Sequence, residues 1–309
     1  MSAPVAAVVV TWNSASEIDN CLRSLENIGE IVVVDNGSTD ETLRVIAGGR
    51  KGVGVIANPQ NRGFAAAANQ GVKATTSPLL LFLNPDAALL NSLEPLVSEL
   101  QAPGVGAAGG RLEDLDGRVQ AGFNVRAFPT PASLACEVLL VNRLWPSNPV
   151  NRRYRRLDLD HGRAQDVDQP AGAFLMVRRE VLEAVGGWDE RFCPLWFEDV
   201  DLCLRIRQAG YRIRYVPAAA ARHRGGHSLA RISVQDKEVY WYRSLLRYTE
   251  KHYPSRARVL LRAAVFLGAL LRSLASLGRG EAVRAYSKVM GLALRRRAME
   301  IQVQPNALS

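Results

Sequence analysis

Cysteine is sparse in this chain, and long apolar runs are missing. The four cysteines (Cys21, Cys136, Cys193, Cys203) form no C-x-x-C pair, and Cys193 and Cys203 have no matching His/Cys set. A zinc ribbon and a disulfide scaffold are therefore excluded, and a reducing compartment is the default. In the C-terminal region the longest charge-free stretch, Ala263 to Leu271, has nine residues, well short of the ~20 needed to span a bilayer. The opening Met1-Ser-Ala-Pro runs straight into a strand pattern, without the charged and apolar run of a signal peptide, so a cytoplasmic setting is the expectation. A Gly-rich phosphate loop after the first strand is also missing. The residues there are TWNSAS, which argues against a nucleotidyltransferase. Gly104-x-Gly106-x-x-Gly109 matches the dinucleotide fingerprint by letter, but it follows a helical pattern and has no acid about twenty residues on.

Positive charge is present but confined. The chain has 309 residues, a net charge of +9 and a sequence pI near 9.7. From Ser255 to the end there are ten basic and two acidic residues, a surplus of eight that leaves +1 for the first 254. The basic segment lacks interleaved aromatics, so no nucleic-acid partner is expected.

The first 90 residues alternate between apolar runs and helical patterns. Val5 to Val10 and Leu79 to Leu83 read as buried strands, and Glu30 to Val34 and Val53 to Ala57 as strands between them. Between them, Ser14-x-x-Glu17 reads as a capping box opening a helix to about Leu25. Thr39 or Asp40 caps a second helix, and Phe64 to Ala74 forms a third. Such alternation specifies an α/β fold with a parallel sheet, whose ligands collect at the carboxyl ends of the strands. All four strand ends are polar: TWN, DNGS, NRG and NPD. Further on, Gly104 to Gly110 and Arg111 to Val119 read as strands about an Asp116-Gly117 turn, and 124–168 reads as loops. Gly172 to Val177 is a strand, and a helix from about Glu198 to Ala209 precedes the last strand.

Asn84-Pro85-Asp86 has two readings. As a turn it needs no ligand, because Asn and Pro favour turns and Asp caps helices. As a site it offers a carboxylate to a divalent ion on a diphosphate. Glu198, Asp199 and Asp201 offset a helix macrodipole, yet Trp188, Trp196 and Phe197 crowd the same spot, where a carboxylate gains basicity. His223 and His227 stand at i and i+4, but Gly225 and Gly226 break any zinc helix between them.

Taken in order, VVVTWNSASEIDNCLRSL (8–25), IVVVDNGSTDET (31–42), NRGFAAAANQG (61–71), LFLNPDA (81–87), GAFLMVRR (172–179), GGWDERF (186–192) and WFEDVDLCLRIRQAGYRI (196–213) resemble the family 2 glycosyltransferases. Within that family the chain is similar to the bacterial rhamnosyltransferase-type branch. The resemblance spans about residues 5–228 and implies a GT-A fold with a mainly parallel central sheet flanked by helices. Its nucleotide-binding half would be about 1–110 and its acceptor-binding half about 111–228, with a basic amphipathic helical extension over 229–309.

By this resemblance Thr11, Asn13, Asp35, Asn36, Asn61, Arg62, Asn84 and Asp86 bind the donor, with Asp35 on the pyrimidine and Arg62 near the diphosphate. Asp86 ends the family's D-x-D metal motif, in which Asn84 replaces the first Asp. His223 matches a histidine that completes a magnesium or manganese site. Asp199 is the implied general base and Glu198 the second choice. Gly172 and Trp196 border the acceptor. The implied reaction is an inverting transfer from a dTDP- or UDP-linked sugar, L-rhamnose from dTDP-rhamnose in this branch, to a saccharide acceptor, polyprenyl-linked in cell-envelope synthesis. A catalytically inactive GT-A scaffold is the alternative, separable by a nucleotide-sugar hydrolysis assay with manganese.

The extension also has two readings. On a wheel, Arg258, Arg262, Arg272, Ser273, Ser276 and Arg279 fall within about a third of the circle. Glu281, Arg284, Lys288 and Arg295 line one side of the next helix. These helices either pack on the catalytic domain or lie with the basic stripe on an anionic inner membrane face, peripheral to it.

Overall fold

Alternate residues of the first strand face opposite sides, and both sides are apolar. In β1 (Val5–Thr11), Ala6 and Val8 enter one core while Ala7 and Val9 enter another. In β4 (Leu79–Leu83), Leu79, Leu81 and Leu83 oppose Leu80 and Phe82 in the same way. A strand buried on both faces must lie inside a sheet covered by helices on both sides.

That arrangement is seen in the computed structural model, which describes residues 4–49, 51–226, 232–278 and 280–295. After β1 come α1 (Ile18–Ser24), β2 (Glu30–Asp35), α2 (Thr42–Gly48), β3 (Val53–Ala57), α3 (Phe64–Lys73), β4, β5 (Ala87–Leu89), α4 (Glu94–Gln101) and β6 (Val105–Glu113). The middle holds β7 (Val125–Arg126), α5 (Pro131–Val138), α6 (Val141–Leu144), α7 (Pro149–Tyr154), β8 (Gln165–Asp166), β9 (Gln169–Pro170) and β10 (Phe174–Arg178). Then follow α8 (Arg179–Ala184), α9 (Glu198–Gln208), β11 (Arg212–His223), α10 (Val234–His252), α11 (Ser255–Ala275) and α12 (Gly280–Leu294). The large sheet runs β3-β2-β1-β4-β10-β6-β11-β5, with β8 paired to β11. β1 to β4 are parallel, but β10 runs against both β4 and β6, and β5 runs against β11. The expected mainly parallel sheet is thus a mixed one whose N-terminal half is parallel.

Three local expectations need correction. Ser14 and Glu17 form no capping box: the Ser14 hydroxyl donates to the Trp12 carbonyl (3.2 Å), and Glu17 pairs with Arg224 (2.5 Å). Residues 124–168 are not all loop, since Thr130 caps α5 in a true capping box with Ser133 and Asn148 caps α7. Arg111 to Val119 is not a separate strand. β6 continues to Glu113, and beyond the turn a single bridge joins Glu113 to Val119. Asp40, in contrast, does meet α2, where its Oδ1 accepts from the Thr42 amide (3.0 Å).

α10, α11 and α12 share a third core with α5, Phe192, Phe197 and Val200. The helical extension therefore packs on the catalytic domain. Of the two readings of the basic stripe, Arg262 and Arg272 follow the first and turn inward. Arg262 pairs with Glu250 and donates to the Leu292 (3.2 Å) and Ala293 (3.1 Å) carbonyls at the end of α12. Arg272 donates to the Glu137 carbonyl (3.0 Å) and to that of Val138 at the end of α5. Last-turn carbonyls lack intrahelical partners and carry partial negative charge, so a guanidinium is their natural cap. Among the described residues no helix is long and apolar enough to cross a membrane. Met1, His227, Arg279, Arg296, Arg297 and Glu300 lie outside the described residues.

Candidate active site

The polar strand ends surround one cleft of about 270 Å³. Thr11, Asn36, Asn61, Asn84 and Asp86 line it, as do Gly172, Trp196, Glu198, Asp199 and His223.

The donor-side residues divide into two groups. Asn36 ties the end of β2 to the loop after β3: its amide donates to Asn61 Oδ1 (2.9 Å) and the Gly63 carbonyl (3.2 Å), and its Oδ1 accepts from the Arg62 amide (3.0 Å). Among the described residues the buried Thr11 hydroxyl, from a residue that lines the cleft, has no hydrogen-bond partner. Asn13, Asp35 and Arg62 do not line the cleft. Asn13 sits at φ 51°, and its Oδ1 accepts from the Thr39 amide (2.7 Å). Asp35 accepts from the Ser38 amide (3.0 Å) and hydroxyl (2.5 Å). Both brace the loop after β2. The Arg62 side chain is exposed, and its amide and carbonyl serve the loop.

Asp86 and His223 meet because β5, which starts just after Asp86, pairs with the end of β11, placing Ala87 opposite His223. Asp86 Oδ1 lies 3.4 Å from His223 Nε2. The other ring nitrogen, Nδ1, is 2.9 Å from Gln120 Oε1, and the Gln120 amide donates to the His223 carbonyl (2.8 Å). With its amide so engaged, Gln120 presents Oε1 as acceptor. Gln120 thereby fixes the ring so that Nε2 faces Asp86. Phe123 stacks on the ring at 5.4 Å. A carboxylate and an imidazole nitrogen side by side suit a divalent ion that draws its remaining ligands from phosphate oxygens and water. Among the described residues no cluster of three or more such ligands occurs, which agrees with Asn84 in place of a first aspartate.

Trp196 (φ 74°) and Phe197 (φ 69°) are consecutive left-handed residues. Non-glycine residues rarely adopt this conformation, at a cost of about 1–3 kcal/mol each. It turns the chain sharply into α9 and presents Glu198 and Asp199 at the helix start. Asp199 Oδ2 accepts from Gln169 Nε2 (2.9 Å) and the Gly172 amide (3.2 Å), and Oδ1 from the Val200 amide (2.8 Å). A side chain on Gly172 would press on Asp199, because a Cβ there would lie 3.1 Å from the Asp199 Cβ. Gly172 thus seats the carboxylate as well as bordering the cleft. Glu198 differs: burial and then the charge of Asp199 push its pKa well above the ordinary carboxylate range, and its Oε2 has no partner. The cleft pairs an anchored Asp199 with a Glu198 pushed toward its neutral form.

Gln120 and Gln169 are the functional residues that sequence reasoning missed. Each acts through its partner, His223 or Asp199, and neither lies in a motif; only the fold brings them there.

A sheet whose strand ends enclose a carboxylate–imidazole pair and an acidic helix start defines the GT-A nucleotide-sugar transferase fold. Solved structures share it. The mannosyltransferase PcManGT of Pyrobaculum calidifontis, in complex with GDP-Man and Mn2+, superposes at TM-score 0.52 with 17% identity, over 96% of this chain and 82% of that one. GalNAc-T7 with UDP, GalNAc and Mn2+ gives 0.52 at 18%, over 72% and 43%. The profile of Glycosyl transferase family 2 matches residues 6–186, and that of Glycosyl transferase family group 2 matches 157–278. The chain belongs to glycosyltransferase family 2 and is rhamnosyltransferase-like within it. The N-acetylglucosaminyl-diphospho-decaprenol L-rhamnosyltransferase of Mycobacterium tuberculosis is 28% identical over 81% of this chain and 90% of its own. Rhamnosyltransferase WbbL of Escherichia coli is 40% identical over 26% of this chain and 30% of its own.

Proposed function

We propose that this enzyme is an inverting, metal-assisted transferase that moves L-rhamnose from a dTDP- or UDP-linked donor to a hydroxyl of a polyprenyl-linked saccharide in cell-envelope polysaccharide synthesis. The observation that carries the reading is the single cleft that holds the Asp86–His223 pair and the Glu198–Asp199 pair together. The sugar and the acceptor class rest on the mycobacterial relative, whose name specifies both. A polyprenyl-linked acceptor puts the enzyme to work at the cytoplasmic face of a membrane, held there peripherally.

Asp86 and His223 Nε2 would hold the ion. When bound, a magnesium or manganese ion offsets the charge of the departing nucleoside diphosphate. Among the described residues no arginine or lysine lines the cleft, so that charge needs another source. Thr11 and Asn61 contact the donor. Asp199, fixed by its three hydrogen bonds, takes the proton of the acceptor hydroxyl, which attacks the anomeric carbon from the face opposite the diphosphate. The new glycosidic bond forms as the carbon–phosphate-oxygen bond breaks, and one displacement inverts the configuration. A base must be deprotonated at working pH. Asp199 therefore fits that task, and Glu198, held neutral, fits donation of a hydrogen bond to the acceptor.

The test is transfer from a panel of dTDP- and UDP-sugars to N-acetylglucosaminyl-diphospho-polyprenol, with manganese, magnesium or chelator, and with product configuration read by NMR. Transfer with inversion is expected, lost on chelation. Asp199→Asn should lower turnover about 100-fold or more while donor affinity stays. Near-normal turnover by Asp199→Asn, or retained configuration, would sink the mechanism.

A further inference from the structure

A second cavity shares no lining residue with the catalytic cleft. It opens between the end of α10, the start of α11 and the end of α12, with a volume of about 740 Å³. Helical spacing gathers its charge. Arg247, Glu250 and Lys251 stand at i, i+3 and i+4 on α10, and Ser255, Arg258 and Arg262 at i, i+3 and i+7 on α11, so each set lines the cavity from one helix face. With Arg191 and Arg295 the lining holds six basic side chains against one acid, Glu250. Part of this charge is met internally. Arg191 and Lys251 pair with Asp189, Lys251 also reaches Asp201, and Arg262 pairs with Glu250. Arg262 also caps the Leu292 and Ala293 carbonyls, which covers the negative end of α12. The other three cations, Arg247, Arg258 and Arg295, form no ion pair among the described residues.

Arg247 is the telling one. It is 8% exposed, its Nε is buried without a partner, and its side chain makes no hydrogen bond among the described residues. Burial, then repulsion from Arg243, lowers its pKa against the pull of Asp189, whose charge Arg191 and Lys251 already meet. A buried guanidinium without an acceptor is costly, and an anion in the cavity would supply one. The start of α11 adds to this. Ser255 lines the cavity, and no side chain caps the first turn of that helix. Its unpaired amides and the positive end of its dipole favour the same charge.

We propose that this cavity is a binding site for a phosphate or diphosphate group, held by Arg247, Arg258 and Arg295 beside the start of α11. The planar guanidinium fork matches phosphate oxygens, and three such forks converge here without carboxylate partners. The site is separate from the catalytic cleft, which no arginine or lysine lines among the described residues, and it does not depend on the reaction proposed above. The phosphate belongs either to a soluble molecule or to a lipid headgroup, two sources with one recognition chemistry.

The test is calorimetric titration of the full chain with inorganic phosphate and with inorganic diphosphate, in chelator so that no metal ion draws the anion into the catalytic cleft. Thermal unfolding midpoints are read in parallel. Variants are Arg247→Gln, Arg258→Gln/Arg295→Gln and, as the control for the cleft, Asp86→Asn. Wild type and Asp86→Asn should bind one equivalent of anion and show a raised midpoint. Arg247→Gln and Arg258→Gln/Arg295→Gln should each weaken binding about tenfold or more and lose the rise in midpoint. If Arg247→Gln does not fold, the double variant decides, since Arg258 is half-buried and Arg295 exposed. Flotation with phosphatidylglycerol vesicles, against phosphatidylcholine alone, then assigns the source. Flotation that inorganic diphosphate competes away and the double variant loses gives a lipid headgroup; titration without flotation gives a soluble ligand. Either result supports the phosphate site. No saturable binding, binding that survives both sets of arginine substitutions, or binding that Asp86→Asn abolishes would overturn the proposal.

Discussion

Glu198 and Asp199 are adjacent in sequence, yet their environments separate their chemistry. Asp199 receives three hydrogen bonds at 2.8–3.2 Å, whereas Glu198 is pushed toward its neutral form by burial and by Asp199. The sign of the stability effect follows. A carboxyl whose folded pKa exceeds its unfolded value favours folding below the unfolded pKa, and that contribution is lost as pH rises through the folded one, by up to ~1.4 kcal/mol per pH unit between them. Glu198→Gln should therefore raise the unfolding midpoint relative to wild type at pH 8, with the gap closing near pH 4. A gap independent of pH would refute the neutral assignment. The sequence showed the acidic pair beside aromatics and so raised the prospect of altered basicity. It could not show which of the two is anchored, because Gln169 and Gly172 reach Asp199 from a different segment. Asn13 and Asp35 show the opposite limit: their polar strand-end positions were legible, but the folded loop uses their side chains to brace Ser38, Thr39 and Asp40.

At the scale of elements, a close fit joins α11 to α5. A Cβ added to Gly268 would lie 2.0 Å from the Val138 carbonyl oxygen, the same oxygen that Arg272 caps. Neither the helix backbone nor that carbonyl can yield cheaply, so Gly268→Val should cost about 3 kcal/mol or more, measured as a fall in the urea midpoint at constant m-value. Gly291→Ala, where nothing lies within 4 Å, is the control and should be neutral or slightly stabilising. The first four strands and the helix over Glu198–Gln208 were legible because their apolar runs and caps are local signals. The short helices between 131 and 154 were not. Their sequence is rich in Arg, Pro and Asn, and its turn signals mask the Thr130 and Asn148 caps.

The whole molecule is tied together through Asp201. This fully buried carboxylate takes Arg205 of its own helix (2.8 Å) and Lys251 (2.6 Å) and His252 (2.7 Å) of α10, joining α9 to the extension. Burial raises its pKa, but the hydrogen bond from His252 and the charges of Arg205 and Lys251 outweigh that and hold it below its usual value. A carboxylate so depressed stabilises the fold above its unfolded pKa and loses that contribution as pH falls through its folded one. Asp201→Asn leaves buried cations uncompensated and should cost about 3–5 kcal/mol at pH 7, an amount that shrinks in acid. It should also cut turnover, because α9 carries Asp199. Urea unfolding at pH 7 and pH 3 reads the first effect; an unchanged stability at pH 7 would refute the coupling.

The sequence by itself determined the alternating strands and helices, the polar strand ends, the acidic pair and the helical nature of the basic extension, because each is written in local periodicity and capping chemistry. Only the tertiary structure decided that β10 reverses within the sheet, that Gln120 orients His223 and Gln169 anchors Asp199, and that Arg262 and Arg272 of the extension face inward while Leu260, Leu267, Leu271 and Leu274 face out. Those outcomes depend on which distant carbonyls and carboxylates remain unpaired once the chain has folded, and no local window of sequence contains that information.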